Sequence, residues 1–201
     1  MRRIVISPYS KHRLDGKRNA KNYPYWENLV GLLLEKYDVL QIVYGDEPVI
    51  KPSPHSSYAS ESIQYVRDFS LPEIENEVKM ADTFICVDNY LAHMAHLLGK
   101  RGVVLFGQSD PELFGYPENV NLYADRKYFR QWQFQTWHEC EFDERAFVQP
   151  KVVFDAVEKL MLEISDPVKL PLMGEYGKFG DGQSQLVMNP GYKARTSPPE
   201  K

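Results

Sequence analysis

The sequence lacks the cysteine patterns that build metal centres and disulfide frameworks. Its 201 residues contain two cysteines, Cys86 and Cys140, and no CxxC pair. Two thiolates cannot complete a tetrahedral cysteine-only zinc site. We therefore interpret both as free thiols in a reducing cytoplasm, and we expect neither a metal nor another cofactor.

Long apolar runs are also absent. The N-terminus, MRRIVISPYS, is basic, but its apolar run is only Ile4-Val5-Ile6, which is too short for the core of a signal peptide. No segment offers the roughly 20 apolar residues that a helix needs to span a bilayer. The sequence therefore predicts a cytoplasmic protein without a membrane span.

An excess of positive charge is missing as well. The chain has 24 Lys and Arg residues against 28 Asp and Glu residues, a formal net charge of −4. A general nucleic-acid binder needs a basic stripe, so this balance argues against one. The fractions of apolar residues (43%) and charged residues (26%) are those of a globular chain, and the length allows a buried core.

Familiar nucleotide and hydrolase motifs do not occur. There is no GxGxxG, GxxxxGK[ST], GxSxG or HExxH, so no single motif identifies the chemistry. Function has to be inferred from the order of the elements and from the loops between them.

Short apolar runs alternate with amphipathic stretches along most of the chain. Strands are predicted at 2–7, 39–44, 63–66, 83–87, 102–106 and 120–123, with helices over 24–37, 71–81, 91–98 and 150–164. This alternation is typical of an α/β fold, Rossmann-like, with a mainly parallel sheet and helices on both faces. Proline and glycine then dominate, so we predict one domain over 1–165 and an extended or disordered tail over 166–201.

Ligands of such sheets bind at the carboxyl ends of the strands. Asp88, Asn89 and His93 follow the strand at 83–87 and open a helix, whose free N–H groups and positive dipole end suit a phosphate. Helix capping is the plain alternative for Asp88 and Asn89, and a half-buried structural histidine is the alternative for His93.

Two further loops at the same edge carry charge. The basic loop, residues 8–23, ends in Lys21, which could neutralise a phosphate. The second strand ends in Gly45-Asp46-Glu47, where a carboxylate could accept hydrogen bonds from ribose hydroxyls. A solvated run of charge and a simple turn are the respective alternatives.

The order of these pieces is more specific than any one of them. It comprises Lys21-Asn22-Tyr23-Pro24, Gly45-Asp46-Glu47, the run DFSLPEI from Asp68, the run ADTFICVDNYLAHMA from Ala81 and the run LGKRGVVLFGQS from Leu98. Over about residues 3–163 it resembles the C-terminal, donor-binding domain of the family 9 glycosyltransferases, the ADP-heptose:lipopolysaccharide heptosyltransferases and their relatives of GT-B fold.

The resemblance implies a set of nucleotide-sugar-binding residues. Lys21 would contact the donor phosphates, Glu47 would bind the ribose with Asp46 as competitor, and the backbone around Ser70 would border the base. The complete set that the resemblance implies is Ser10, Lys21, Glu47, Ser70, Asp88, Asn89 and His93. It implies a nucleotide-sugar donor as substrate and no metal.

The sequence also departs from the family pattern. Tyr90 stands where the family has a glycine that lets the backbone approach the diphosphate, so Tyr90 is expected to crowd the donor or to stack on a substrate. The first predicted strand already begins at residue 2, so we expect the family's N-terminal acceptor domain to be absent, and with it the catalytic carboxylate that the resemblance implies. Asp15 and Asp110 are candidates for a general base by position only, so the catalytic residues stay unknown.

Three functions remain open. The chain could transfer a sugar to an acceptor hydroxyl, as a compact phage-type enzyme or with a second copy or partner chain completing the cleft. It could instead be a non-catalytic nucleotide-sugar-binding subunit, or an interaction protein that kept only the fold. In the first case the acceptor, a glycan or a modified nucleic acid, could stack on Trp132 and Trp137 of the aromatic segment, residues 126–147; ordinary packing is the alternative.

Overall fold

A computed structural model describes residues 1–11, 13, 15–134 and 140–165. Within them, six strands form one sheet, with every neighbouring pair parallel and the order β3-β2-β1-β4-β5-β6. The strands are β1 (Arg2–Ser7), β2 (Tyr37–Val43), β3 (Gln64–Arg67), β4 (Thr83–Val87), β5 (Val103–Leu105) and β6 (Val120–Leu122). The α-helices are α1 (Trp26–Leu33), α2 (Leu71–Met80), α3 (Tyr90–Leu97), α4 (Pro111–Phe114) and α5 (Pro150–Ser165).

The central strands contain adjacent buried apolar residues because both faces of the sheet are covered. On β1, Ile4 pairs with Val39 of β2 on one side and with Thr83 of β4 on the other, and Ile4 to Ile6 have no exposed surface. A run of three adjacent apolar residues is therefore sufficient to place β1 in the middle of the sheet.

Two hydrophobic cores lie on the two faces. Helices α1 and α5 pack on one face, where Leu29, Leu33 and Val157 are fully buried. Helices α2 and α3 cover the other, around Ile74 and Leu91. The predicted Rossmann-like sheet with helices on both faces is confirmed, and the described part of the sheet is wholly parallel.

The sheet order creates the crevice that positions the site. From β1 the chain continues to α1 on one face, whereas from the adjacent β4 it continues to α3 on the other face. The connections diverge at this switch point and leave a crevice outside the carboxyl ends of β1 and β4. The loops after Ser7 and Val87 therefore border the same space.

Several boundaries differ from those predicted. Tyr37, expected on the helix face, instead begins β2 and pairs with Arg2, because the helix ends at Leu33 and a turn follows. A short helix that was not predicted, α4, follows Asp110, whose side chain accepts from Glu112 N and caps the helix. The boundary of the predicted tail, 166–201, and Trp137 lie outside the described residues.

Among the described residues, no helix combines the length and apolar character required to cross a membrane.

Candidate functional site at the carboxyl ends of β1 and β4

A buried carboxylate organises the centre of the crevice. Asp88, directly after β4, is only 6% exposed. Its Oδ2 lies 2.8 Å from Lys21 Nζ and accepts a hydrogen bond of 2.7 Å from Ser109 Oγ. A buried carboxylate requires such charged and hydrogen-bonding partners. Three separate loops thus meet at one oxygen atom.

Asn89 joins the start of α3 to the end of β1. Its Oδ1 accepts from Leu91 N at 3.0 Å, which caps the helix. Its Nδ2 donates to the carbonyl oxygens of Ser7 and Tyr9 and lies 2.9 Å from Ser7 Oγ. Asn89 therefore caps α3, as the plain alternative expected. Its amide nitrogen also links the loop after β4 to the loop after β1.

The end of the basic loop is held by its own asparagines. Lys21 N donates to Asn19 Oδ1 at 2.9 Å, and Ser10 N donates to Asn22 Oδ1 at 2.8 Å. Tyr23 is 1% exposed and donates its hydroxyl to Val148 O. Tyr23 is therefore a core residue, and the ordered turn before it positions the Lys21 ammonium.

Arg13 connects the basic loop to the aromatic segment. Its guanidinium donates to both oxygens of Asp15, at 2.9 and 2.6 Å, and to Cys140 O at 2.6 Å. The bond from Arg13 holds the pKa of the Asp15 carboxyl well below its usual range. The loop that carries Lys21 is thereby fastened to the segment that carries Trp132.

Glu47 closes the turn after β2. It is 8% exposed, its Oε2 accepts from Tyr44 N at 3.0 Å, and its own N–H donates to Tyr44 O. Burial, followed by the charge of Glu47, raises the pKa of Tyr9 to about 12. Asp46 beside it is exposed.

Tyr90 packs against the rim of β2. Its ring meets that of Tyr44 edge to face, with centroids 5.7 Å apart, over the core that α2 and α3 cover. Burial, and then the neighbouring Tyr44 hydroxyl, raise the pKa of Tyr90. The side chain of Tyr90, where the resemblance implies a glycine, thus reaches from the first residue of α3 to Tyr44, which precedes the turn of Glu47.

The other predicted residues lie outside this centre. His93 is exposed on α3, where its Nδ1 lies 2.8 Å from Tyr116 Oη. Ser70 is exposed and caps α2, with its N and Oγ both bonded to Glu73 Oε2. Trp132 is 45% exposed on the aromatic segment. The structure brings Lys21, Asp88 and Asn89 together, and the binding roles of all these residues stay predictions.

Ser109 was not predicted, although it contributes directly to the centre. It is 1% exposed and lies in the loop after β5, at the same carboxyl edge of the sheet. A serine in a run of small and polar residues, Gly107-Gln108-Ser109-Asp110, has no signal that separates it from an ordinary turn. Only the contact with Asp88 shows its importance.

Residues 55–146 match the model of glycosyltransferase family 9 (heptosyltransferase). The matched range contains β4, the start of α3 and the β5 loop, and therefore Asp88 and Ser109. The chain resembles glycosyltransferase family 9. The family resemblance seen in the sequence is thereby confirmed.

Solved structures of two heptosyltransferases and of a family 9 glycosyltransferase share the fold. The dodecameric iron-containing heptosyltransferase TibC of enterotoxigenic E. coli, solved with ADP-D-beta-D-heptose, is 17% identical with a TM-score of 0.60, over 81% of this chain and 46% of that one. The E. coli ADP-heptose lps heptosyltransferase II is 14% identical with a TM-score of 0.57, and the match covers 82% of this chain and 47% of that one. The family 9 glycosyltransferase of Veillonella parvula is 16% identical with a TM-score of 0.55, and the match covers 81% of this chain and 46% of that one.

The chain spans about half the length of these family 9 structures. No curated protein sequence matches it.

Proposed function

We propose that this chain is the donor-binding part of a GT-B glycosyltransferase and binds a nucleotide-activated sugar at the carboxyl ends of β1 and β4. The single observation that carries the proposal is the meeting of Lys21 and Ser109 on the buried Asp88 carboxylate, in a crevice of family 9 fold. A lysine and a helix N-terminus beside one another suit a diphosphate.

In this proposal Lys21 supplies the positive charge for the phosphates, so no metal is required. The Lys21 ammonium has three donors and is 17% exposed on its side chain, so it can bind a phosphate oxygen while it remains near Asp88. Glu47 would accept from the ribose hydroxyls, and His93, with Ser10 and Ser70, would border the donor. The free, buried thiols of Cys86 and Cys140 are in keeping with a cytoplasmic location.

The principal experiment is calorimetry of the full chain with ADP-, UDP- and GDP-sugars. We expect at least one donor to bind, and Lys21→Ala to weaken that binding by about 1–3 kcal/mol, the scale of a charged hydrogen bond. Lys17→Ala is the matched control, since Lys17 is an exposed lysine of the same loop. Equal affinities for the wild type and Lys21→Ala would show that the phosphate assignment is wrong.

One observation favours the second candidate, a binding subunit without catalysis of its own. Both carboxylates considered as general bases are engaged: Asp15 with Arg13, and Asp110 with the N-terminus of α4 and with Arg126. The bond from Arg13 lowers the pKa of Asp15 and makes this carboxylate a weaker base, and the Asp110 carboxylate is already occupied by its two partners. Donor binding without hydrolysis or transfer by the purified chain would favour this candidate, whereas turnover would favour the enzyme.

A further inference from the structure

The aromatic segment carries two large rings in contact with solvent. Trp132 is 45% exposed and Phe134 is 78% exposed, and they flank Gln133 in the sequence. Scattered exposed apolar residues are ordinary, but these two belong to one turn.

Gln133 fastens the turn to the candidate site. Its Oε1 accepts from Asp110 N at 2.9 Å, and its Nε2 donates to Gln108 O at 3.3 Å and to Arg130 O at 2.7 Å. Gln108 and Asp110 are the two neighbours of Ser109, which bonds to Asp88. The exposed rings are therefore connected through one glutamine to the loop that borders the proposed donor site.

Further bonds make this turn a well-supported platform. Arg130 N donates to Gln108 O at 3.1 Å, and its guanidinium bonds to Gln133 O. Phe134 also meets Phe114 of α4 edge to face, with centroids 5.6 Å apart. A ring that is supported on one edge and exposed on its remaining surface loses little conformational freedom when a ligand stacks on it.

We propose that Trp132 and Phe134 form a stacking site for a pyranose ring of a neutral carbohydrate acceptor, beside the donor site. The role of the bound sugar as an acceptor rests on the proposed function, whereas the binding of a sugar to these two rings does not. The C–H groups on one face of a pyranose are apolar and electropositive, and they complement the negative face of an aromatic ring. The hydroxyl edge needs polar partners, and Asp110 keeps acceptor capacity because each oxygen of its carboxylate has two lone pairs.

Size and charge favour a sugar over a macromolecule. Two rings suit one or two sugar units, whereas a stable protein partner would need roughly 800 Å² on each side. A nucleic-acid strand would need cations that are not already neutralised, and Arg126 is engaged by both Asp110 and Glu112, at 3.1 and 2.8 Å. The cation beside Asp110 is therefore already paired with two carboxylates, which suits a neutral ligand there.

The test is saturation-transfer NMR on the full chain with methyl α-D-glucopyranoside, methyl α-D-mannopyranoside, methyl β-D-galactopyranoside and maltose as probes. At least one probe should bind with saturation strongest at its ring C–H protons. Trp132→Ala and Phe134→Ala should each weaken that binding about tenfold, as expected when a stacking contact is lost. Leu162→Ala, which removes an equally solvent-exposed apolar side chain on α5 (72%), should leave it unchanged.

A second arm separates this site from the donor site. Lys21→Ala should keep the carbohydrate signal, and Trp132→Ala should keep its affinity for the nucleotide sugar. The inference is wrong if no probe is saturated, if both aromatic variants bind as the wild type does, or if only a single-stranded (dT)10 oligonucleotide depends on these rings. Failure of all nucleotide sugars to bind would overturn the proposed function alone, because the carbohydrate titration is read independently of it.

Discussion

At the scale of single residues, the most informative position is Tyr90. The family has a glycine there, and a glycine allows close approach of the backbone to a diphosphate. In this chain the side chain is occupied with Tyr44, beside the first turn of α3. Its ring packs against the core under α2 and α3, and we propose that it also limits access to the N-terminus of α3.

Replacing Tyr90 should separate these two effects. Tyr90→Gly should bind a nucleotide sugar more tightly, because the N–H groups of α3 become accessible, and should lose about 2–4 kcal/mol of stability through the lost packing. Tyr90→Phe keeps the ring and should change donor affinity little. Calorimetry and urea unfolding measure the two quantities, and unchanged affinity in Tyr90→Gly would contradict the steric role.

Asn89 shows which part of the site the residue types alone could predict. An asparagine directly before a helix indicates a cap, and the cap is present. The three contacts of its amide nitrogen with Ser7 and Tyr9 depend on β1 and β4 being neighbours, which is a property of the sheet order. Local sequence carries the first kind of information and not the second.

At the scale of elements, the same asparagine fastens β1 to the β4–α3 junction. Asn89→Ala should cost about 2–4 kcal/mol, from the lost cap and the lost bonds to β1. The loss should exceed that of Ser70→Ala, because Ser70 caps α2 with exposed, purely local bonds to Glu73. We expect Ser70→Ala to lower the free energy of unfolding by about 1 kcal/mol. Urea unfolding followed by tryptophan fluorescence measures both.

Asn89→Asp is the sharper variant of this experiment. Aspartate keeps the oxygen that accepts from Leu91 N, but it replaces the donating amide with a carboxylate facing the Ser7 and Tyr9 carbonyls. We therefore expect a loss close to that of Asn89→Ala. If Asn89→Asp is as stable as the wild type, the amide bonds to β1 contribute nothing and the element is held by its cap alone.

At the scale of the whole molecule, the periodic parts of the sequence were the predictable ones. Apolar runs located the strands, and amphipathic stretches located the helices α1, α2, α3 and α5. Tyr37 was misassigned because its spacing continues the helical pattern although its partner is Arg2 on β1. Ser109 was missed because its significance lies in a contact with Asp88, 21 residues earlier in the chain.

Arg13 shows how two irregular regions become one edge of the site. Its bonds reach Asp15 within the basic loop and Cys140 O in the aromatic segment, so Arg13 links the loop of Lys21 to the segment of Trp132. We expect Arg13→Met, which keeps the apolar stem, to lower the melting temperature and to loosen both regions in hydrogen exchange.

The pH dependence of this effect follows from the pairing with Asp15. Because Arg13 depresses the folded-state pKa of Asp15, the pair stabilises the protein at neutral pH, and its contribution declines as the pH falls below about 4, the ordinary aspartate value. The difference in melting temperature between the wild type and Arg13→Met should therefore be full at pH 7 and smaller at pH 3. It should not vanish, because the bond to Cys140 O involves no titrating partner.

Arg145→Met is the matched control: Arg145 binds Asp143 with the same bidentate geometry two residues away, and both bonds stay local. Equal losses in the two variants at pH 7 would show that the link between the basic loop and the aromatic segment adds no stability.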